Sequence, residues 1–299
     1  MEAVGPRPLC PGQALLAAHS NHVRMAQLSL VDAHAHLQEE VLEGHVPGVM
    51  ARAAEAGVRW IVCNGTHEND WEQVAELART YPGVVPCFGL HPWFVAERSP
   101  EWLDRLEEHL LAMPSGVGEI GLDRWHEPRD EAAQEIVFRQ QMALACRLER
   151  PVVIHCLRAW GWLMDVLRDT GAPRSGMLLH AYGGPPDLIG PLASMDGYFS
   201  FAGDVLEERR KKKRASLQAV PLDRLLIETD APAMMPPEAA RPHVVRGADG
   251  EAWNEPANLP SILEGVAGLI GVTPERLAEI TRENAQRLLG GIGCRPIGS

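Results

Sequence analysis

The sequence predicts an α/β protein built as one (β/α)8 TIM barrel with short tails. Two observations carry this expectation. Eight short apolar runs alternate with longer amphipathic stretches through most of the chain, an order that builds a parallel sheet, and eight repeats close it. The length of 299 residues suits one barrel of roughly 250 residues plus tails.

Residues 1–27 are rich in Pro, Gly, Ala and small polar residues without periodicity, and a flexible extension is expected there. The barrel domain is expected over 28–290, with 291–299 as a tail. Strands are expected at 28–32, 60–63, 84–88, 117–119, 152–155, 177–180, 197–201 and 225–228, each a short apolar run. The segments 49–56, 71–80, 101–113, 131–149, 160–170, 187–195 and 209–220 place apolar residues three and four apart, the repeat of one buried helix face. Two more helices follow at 259–270 and 273–289, the second opened by Thr273 as N-cap and Pro274 at its first turn. Between the eighth strand and these helices, 231–256 is proline-rich and aperiodic. A long loop at the C-terminal mouth of the barrel is expected there, where loops shape binding sites.

Apolar residues make up 45 % of the chain and charged residues 23 %, which suits one large core and excludes general disorder. A net charge of −12 repels polyanions at long range, so a nucleic-acid substrate needs a local cation. The six cysteines, Cys10, Cys63, Cys87, Cys146, Cys156 and Cys294, form no C-x-x-C pair and read as free thiols. No basic start with an apolar run opens the chain, and no stretch approaches roughly 18 apolar residues. A cytoplasmic location with no membrane partner is expected, and no obligate protein partner is evident.

Ligand-type side chains cluster at the strand ends. Asp32-Ala-His34-Ala-His36 points both imidazoles to one side of an extended backbone. Glu119 follows the fourth strand, His155 and His180 end the fifth and sixth, and Asp230 follows the eighth. A buried, unpaired charge at such a position costs several kcal/mol. Hydrogen-bonded histidines and acids would explain any one position, but the six together suit divalent cations: Zn, Mn, Fe or Co, with Mg at a carboxylate-rich position. Six ligands exceed what one open catalytic ion needs, so two are expected, bridged by Glu119. Asp230 is also the candidate general base for an activated water.

In order, the segments Asp32-Ala-His-Ala-His36, Gly89-Leu-His91-Pro92, Gly118-Glu-Ile-Gly-Leu-Asp123, Val153-Ile-His155, His180-Ala-Tyr-Gly-Gly184, Tyr198-Phe-Ser200, Pro221 to Pro232, Asn254-Glu-Pro256 and Thr281-Arg-Glu-Asn284 resemble the TatD family of metal-dependent hydrolases. The resemblance spans about 28–290. It implies a barrel, two divalent cations (Mg, Mn or Zn) on His34, His36, Glu119, His155, His180 and Asp230, and phosphodiester hydrolysis, described as deoxyribonuclease action of the 3′-exonuclease type. It also implies that His91 lies beside the substrate phosphate and that DNA or another nucleic acid is the substrate.

Two positions depart from the family pattern. Arg158 is displaced by one residue from the usual arginine after the strand-5 histidine, and Trp253 stands where an arginine is common. The tryptophan offers either a stacking surface for a base or a ring packed on the barrel rim. Residues 209–214 form an unbroken basic run, readable as a contact for a nucleic-acid backbone or as a solvated helix start. His19, His22, His45, His67, His109, His126 and His243 lack a strand-end pattern and are expected on the surface or in loops. Three functions remain: a metal-dependent nuclease, another metallohydrolase of the amidohydrolase-like barrels such as a D-aminoacyl-tRNA deacylase, or a silent binding protein. The amidohydrolase-like group uses a modified lysine on strand 4; Glu119 stands there instead.

Overall fold

All eight expected strands belong to one parallel sheet whose order follows the chain: β1 (Leu30–Ala35), β2 (Val58–Asn64), β3 (Val84–Phe88), β4 (Gly116–Asp123), β5 (Val152–Leu157), β6 (Met177–Leu179), β7 (Gly197–Phe201) and β8 (Leu225–Ile227). The structure, a computed structural model, describes residues 28–247 and 250–292. The expected extension at 1–27, Cys10, Cys294, His19, His22 and most of the expected tail therefore lie outside the described residues. β1 begins later than its apolar run and continues past His34 to Ala35, because pairing with β2 runs on to Ala35 and Cys63. β4 likewise extends to Asp123, paired with Leu157. Polar side chains that find partners inside the barrel do not interrupt a ladder, although they interrupt an apolar pattern.

The helices are α1 (Val46–Glu55), α2 (Trp71–Thr80), α3 (Trp102–Ala112), α4 (Glu131–Arg147), α5 (Trp160–Thr170), α6 (Ile189–Ala193), α7 (Lys211–Ala219), α8 (Leu259–Ile270) and α9 (Pro274–Leu289). α6 is much shorter than the expected 187–195. Pro186 opens a 3-10 turn before it, and Gly190 and Pro191 weaken the helix itself. The expected loop at 231–256 is not wholly aperiodic: it holds a 3-10 turn, Glu238–Ala240, and an antiparallel ribbon of β9 (Val245–Arg246) and β10 (Ala252–Trp253). Asn254 pins that loop by donating to Thr229 O at 2.8 Å, and buried Glu255 forks onto Arg52 of α1. Within α9, Asn284 donates to Leu222 O at 2.8 Å and Leu225 O at 2.7 Å, which satisfies carbonyls of the turn into β8.

Barrel closure decides where the chemistry lies. Few backbone contacts join β1 to the segment after β8: Asp230 N donates to His34 O at 3.0 Å, and His36 N to Ala231 O at 2.7 Å. The buried Asp32 carboxylate adds a staple, accepting from Thr229 N at 2.8 Å and from the Thr229 hydroxyl. Inside the sheet, Val62, Val153, Leu178 and Leu226 belong to one buried cluster that also takes in Leu288 and Ile292 from the C-terminal end. The two-residue repeat of a strand carries their direction forward to Asn64, His155, His180 and Glu228. Among the described residues, no helix is long and apolar enough to cross a membrane.

Candidate metal centre

Glu119 occupies the middle of the C-terminal mouth. Its Oε2 lies 3.2 Å from both His34 Nε2 and His36 Nε2. Its Oε1 lies 2.8 Å from His180 Nε2, 3.1 Å from His155 Nδ1 and 3.3 Å from His91 Nε2. Asp230 Oδ1 completes the first side, 3.5 Å from His34 Nε2 and 3.7 Å from His36 Nε2. All six sequence-predicted side chains, together with His91, thus converge on one point, drawn from β1, β4, β5 and the segments after β1, β3, β6 and β8.

Glycine permits two of these approaches. A Cβ on Gly89 would stand 2.8 Å from Glu119 O, and one on Gly121 would stand 1.9 Å from His155 O. Two buried glutamines of α4 hold the neighbouring loops. Gln141 both accepts from Leu90 N at 2.7 Å and donates to Leu90 O at 3.1 Å, while Gln134 accepts from Asp123 N at 2.8 Å. They were not singled out from the sequence, although their seven-residue spacing puts both on the buried face of that helix.

Outer hydrogen bonds set the imidazole lone pairs. A backbone carbonyl can only accept, so His36 Nδ1–H donates to Asn64 O at 2.8 Å and Nε2 presents its lone pair to the centre. His155 Nε2–H donates to Asp123 Oδ2 at 2.8 Å, which turns Nδ1 inward. A carboxylate or carbonyl behind these two rings is the arrangement that orients metal-binding histidines; behind His34 the Asn64 side-chain amide stands instead, 3.1 Å from Nδ1. His34 and His36 hold their Nε2 atoms 3.0 Å apart, a crowding of donors that a shared cation would relieve. His180 Nδ1 is buried without a hydrogen-bond partner, 3.7 Å from Glu228 Oε1. Mixed nitrogen and oxygen donors at this spacing fit a transition-metal or Mg site.

His91 differs from His36 and His155. Its Nδ1 accepts from Trp93 N at 3.2 Å, so Nε2 carries the proton and points at Glu119 as a donor. Burial pulls its pKa down to about 4, which keeps the ring neutral. Elsewhere in the centre, burial tends to raise Glu119, but the imidazoles of His180, His91 and His34 hold its carboxyl well below the usual range. Burial lowers His34 to about 3. It opposes protonation of His36 too, yet the hydrogen bond and charge of Glu119 outweigh it and hold that ring up to about 9. Burial pushes Asp230 up to about 6.

The centre floors a cavity of about 380 Å³ walled by Trp93, Phe94, Trp125, Leu157 and Met234. Among the described residues, its lining contains no lysine or arginine. A larger groove of about 630 Å³ lies beside α2 and holds none of the clustered histidines. Arg158 is exposed and lies outside the cavity lining; Leu157 lines it instead. Trp253 packs against the main core, so its ring serves the rim. The basic run is tied down at its end, whereas residues 209–212 are exposed. Lys213 is buried against Asp204 at 2.7 Å, Arg210 approaches Asp204 at 3.5 Å, Arg209 pairs with Glu207, and Arg214 donates to the carbonyls of Val205 and Leu206. Three histidines expected on the surface or in loops have packing roles: His67 meets Phe94 edge-on, His109 of α3 packs on Trp71 and Phe88, and His126 stacks on Trp93. Asp32, Asn64, Asp123 and Glu228 support the centre but were not assigned roles from the sequence, because a residue that acts through another leaves no ligand spacing to read.

A parallel barrel with histidines and acids gathered around one carboxylate at its C-terminal mouth defines a metal-dependent hydrolase. The chain belongs to the TatD family: the family model described as TatD related DNase matches residues 31–290. Among similar proteins, the 3′-5′ ssDNA/RNA exonuclease TatD of Edwardsiella piscicida is 33 % identical over 263 residues, covering 87 % of this chain and 98 % of that protein. The metal-dependent hydrolase YabD of Bacillus subtilis is 32 % identical over 262 residues, with 87 % and 98 % covered. The crystal structure of the TatD homolog YJJV from Escherichia coli superposes with a TM-score of 0.80 at 26 % identity, covering 88 % of this chain and 98 % of that one.

Proposed function

We infer that this chain is a two-cation phosphodiesterase that removes nucleotides from the 3′ end of single-stranded nucleic acid. Glu119 carries the reading: one oxygen faces His34, His36 and Asp230, the other faces His155 and His180, so one carboxylate stands between two donor sets. His34, His36, Asp230 and Glu119 Oε2 would hold one cation; His155 Nδ1, His180 Nε2 and Glu119 Oε1 would hold the other. When bound, such cations lower the pKa of water toward neutrality and offset charge on an attacked phosphoryl oxygen.

The side chains supply the rest. Asp230, with its carboxyl near 6, is ionised at neutral pH and takes the proton of the attacking water. His91, neutral and protonated at Nε2, would turn that N–H from Glu119 to a phosphoryl oxygen and so help fix the group for attack. The printed name of the Edwardsiella relative, a 3′-5′ ssDNA/RNA exonuclease, supports this choice of substrate over an ester or aminoacyl bond.

Protein stripped by a chelator should lose cleavage of single-stranded DNA and regain it with Mg²⁺ or Mn²⁺, and Asp230→Ala should stay inactive at every metal concentration. Elemental analysis run alongside gives the ions per chain. Fully metallated protein that leaves DNA and RNA intact yet cleaves an aminoacyl ester would overturn the reading.

A further inference from the structure

One carboxylate ties the centre to the aromatic residues at its mouth. Asp123 Oδ2 accepts from His155 Nε2 and from the Trp93 indole Nε1, each at 2.8 Å. Its Oδ1 accepts from the backbone N–H groups of Trp125 and His126 at 2.5 and 2.9 Å. Trp93 stacks on His126, with centroids 4.7 Å apart and planes 24° from parallel, and meets Trp125 at 6.2 Å and 36°. Both indoles line the cavity, yet they remain 39 % and 51 % exposed. Leu157, 38 % exposed, lies on the same wall.

Large apolar side chains left open beside a polar site mark a binding surface. Here that surface stands close to the reacting end: the Trp93 ring is 5.0 Å from the His91 ring and 6.2 Å from the His155 ring. A phosphate placed at the centre would carry its own base within reach of these indoles. With no lysine or arginine among the described residues of the wall, a polyanion gains no side-chain charge contact from them, whereas every base offers a π-face to stack.

We propose that Trp93 and Trp125 form the stacking surface for the nucleobase next to the scissile phosphate, so that substrate is held by its base more than by its backbone charge. The proposal rests on the phosphodiesterase reading above. Trp93 is the anchored half, fixed by Asp123 and His126. Trp125 is the open half; among the described residues its indole makes no hydrogen bond, so its removal leaves the side-chain contacts of Asp123 in place.

The test compares two single-stranded DNA oligonucleotides, identical except that the last two 3′ residues are natural in one and abasic tetrahydrofuran in the other. The full chain loaded with Mn²⁺ should cut the natural end with kcat/KM roughly ten-fold above the abasic end. Trp125→Ala should bring that ratio close to one, and Trp125→Phe should keep most of it. Because the readout is a ratio within one protein, lost folding does not mimic the result. Equal cleavage of both ends by the unaltered chain, or an unchanged ratio in Trp125→Ala, overturns stacking and leaves hydrolysis standing. No cleavage of either end by fully metallated protein removes the phosphodiesterase reading, and stacking with it.

Discussion

At the scale of single residues, the centre is an exchange of protons for cations. His36 is held up to about 9 against an ordinary 6.5; against the pull of burial, His155 is raised by Asp123 and then Glu119, and His180 by Glu119 and then Glu228. A raised histidine stabilises the metal-free fold while protonated. That contribution is fully present below pH 6.5 and is lost as pH rises through the folded value near 9. Asp230, near 6, titrates below this window. A cation must displace the same protons, so apparent metal affinity should climb over pH 6.5 to 9 as the melting temperature of chelator-treated protein declines. Calorimetric metal titration at several pH values checks the first trend and thermal unfolding the second; a pH-independent affinity would contradict both. The histidines and acids themselves were legible in the sequence, since each breaks an apolar strand. Their partners were not. Asp123 reads as one more acid after a strand, and only the fold shows that it binds His155, Trp93, Trp125 and His126 together.

At the scale of elements, α4 does more than cover the sheet. Gln141 satisfies both backbone groups of Leu90, the residue before His91, so a helix on the outside of the barrel fixes a loop at its mouth. Gln141→Leu would fill the volume but leave a buried N–H and C=O without partners, and should cost about 2 kcal/mol or more. Urea unfolding reads that loss. Hydrogen exchange localised to the Gly89–Pro92 turn should rise as well; unchanged protection there would mean the helix is a bystander. Sequence periodicity placed most helices to within a few residues, because one apolar face per helix is a local property. It failed at 187–195, where prolines and glycine shortened α6, and in the loop ending at Trp253. There, two short strands pair with each other rather than with the barrel, and a two-residue strand has no period to detect.

At the scale of the whole molecule, the charge of −12 sets terms for a nucleic-acid substrate. Of the basic run at 209–214, Lys213 and Arg214 turn inward onto Asp204 and backbone carbonyls, while residues 209–212 stay exposed but line no part of the cavity over the centre. Proteins that grip DNA through several phosphates lose roughly 10³-fold or more in affinity between 50 and 200 mM salt. For this chain, KM for single-stranded DNA should move by less than about five-fold over that range if the proposed stacking and cations hold the substrate in place of side-chain charge. Steady-state kinetics at the two salt concentrations decides it; a steep salt penalty would point to a basic track that the cavity wall does not have.

The sequence by itself determined the barrel, its strand order and the identity of the converging donors, because strand and helix periods are local and ligand-type residues at strand ends are conspicuous against apolar runs. The tertiary structure decided how those donors divide between the two oxygens of Glu119, which nitrogen each imidazole turns inward, that Trp253 packs while Trp93 and Trp125 stay open, and that Lys213 and Arg214 of the basic run are spent on internal partners. Each of these depends on which side chain stands behind another across the barrel. That distance is set by closure of the sheet and is independent of separation along the chain.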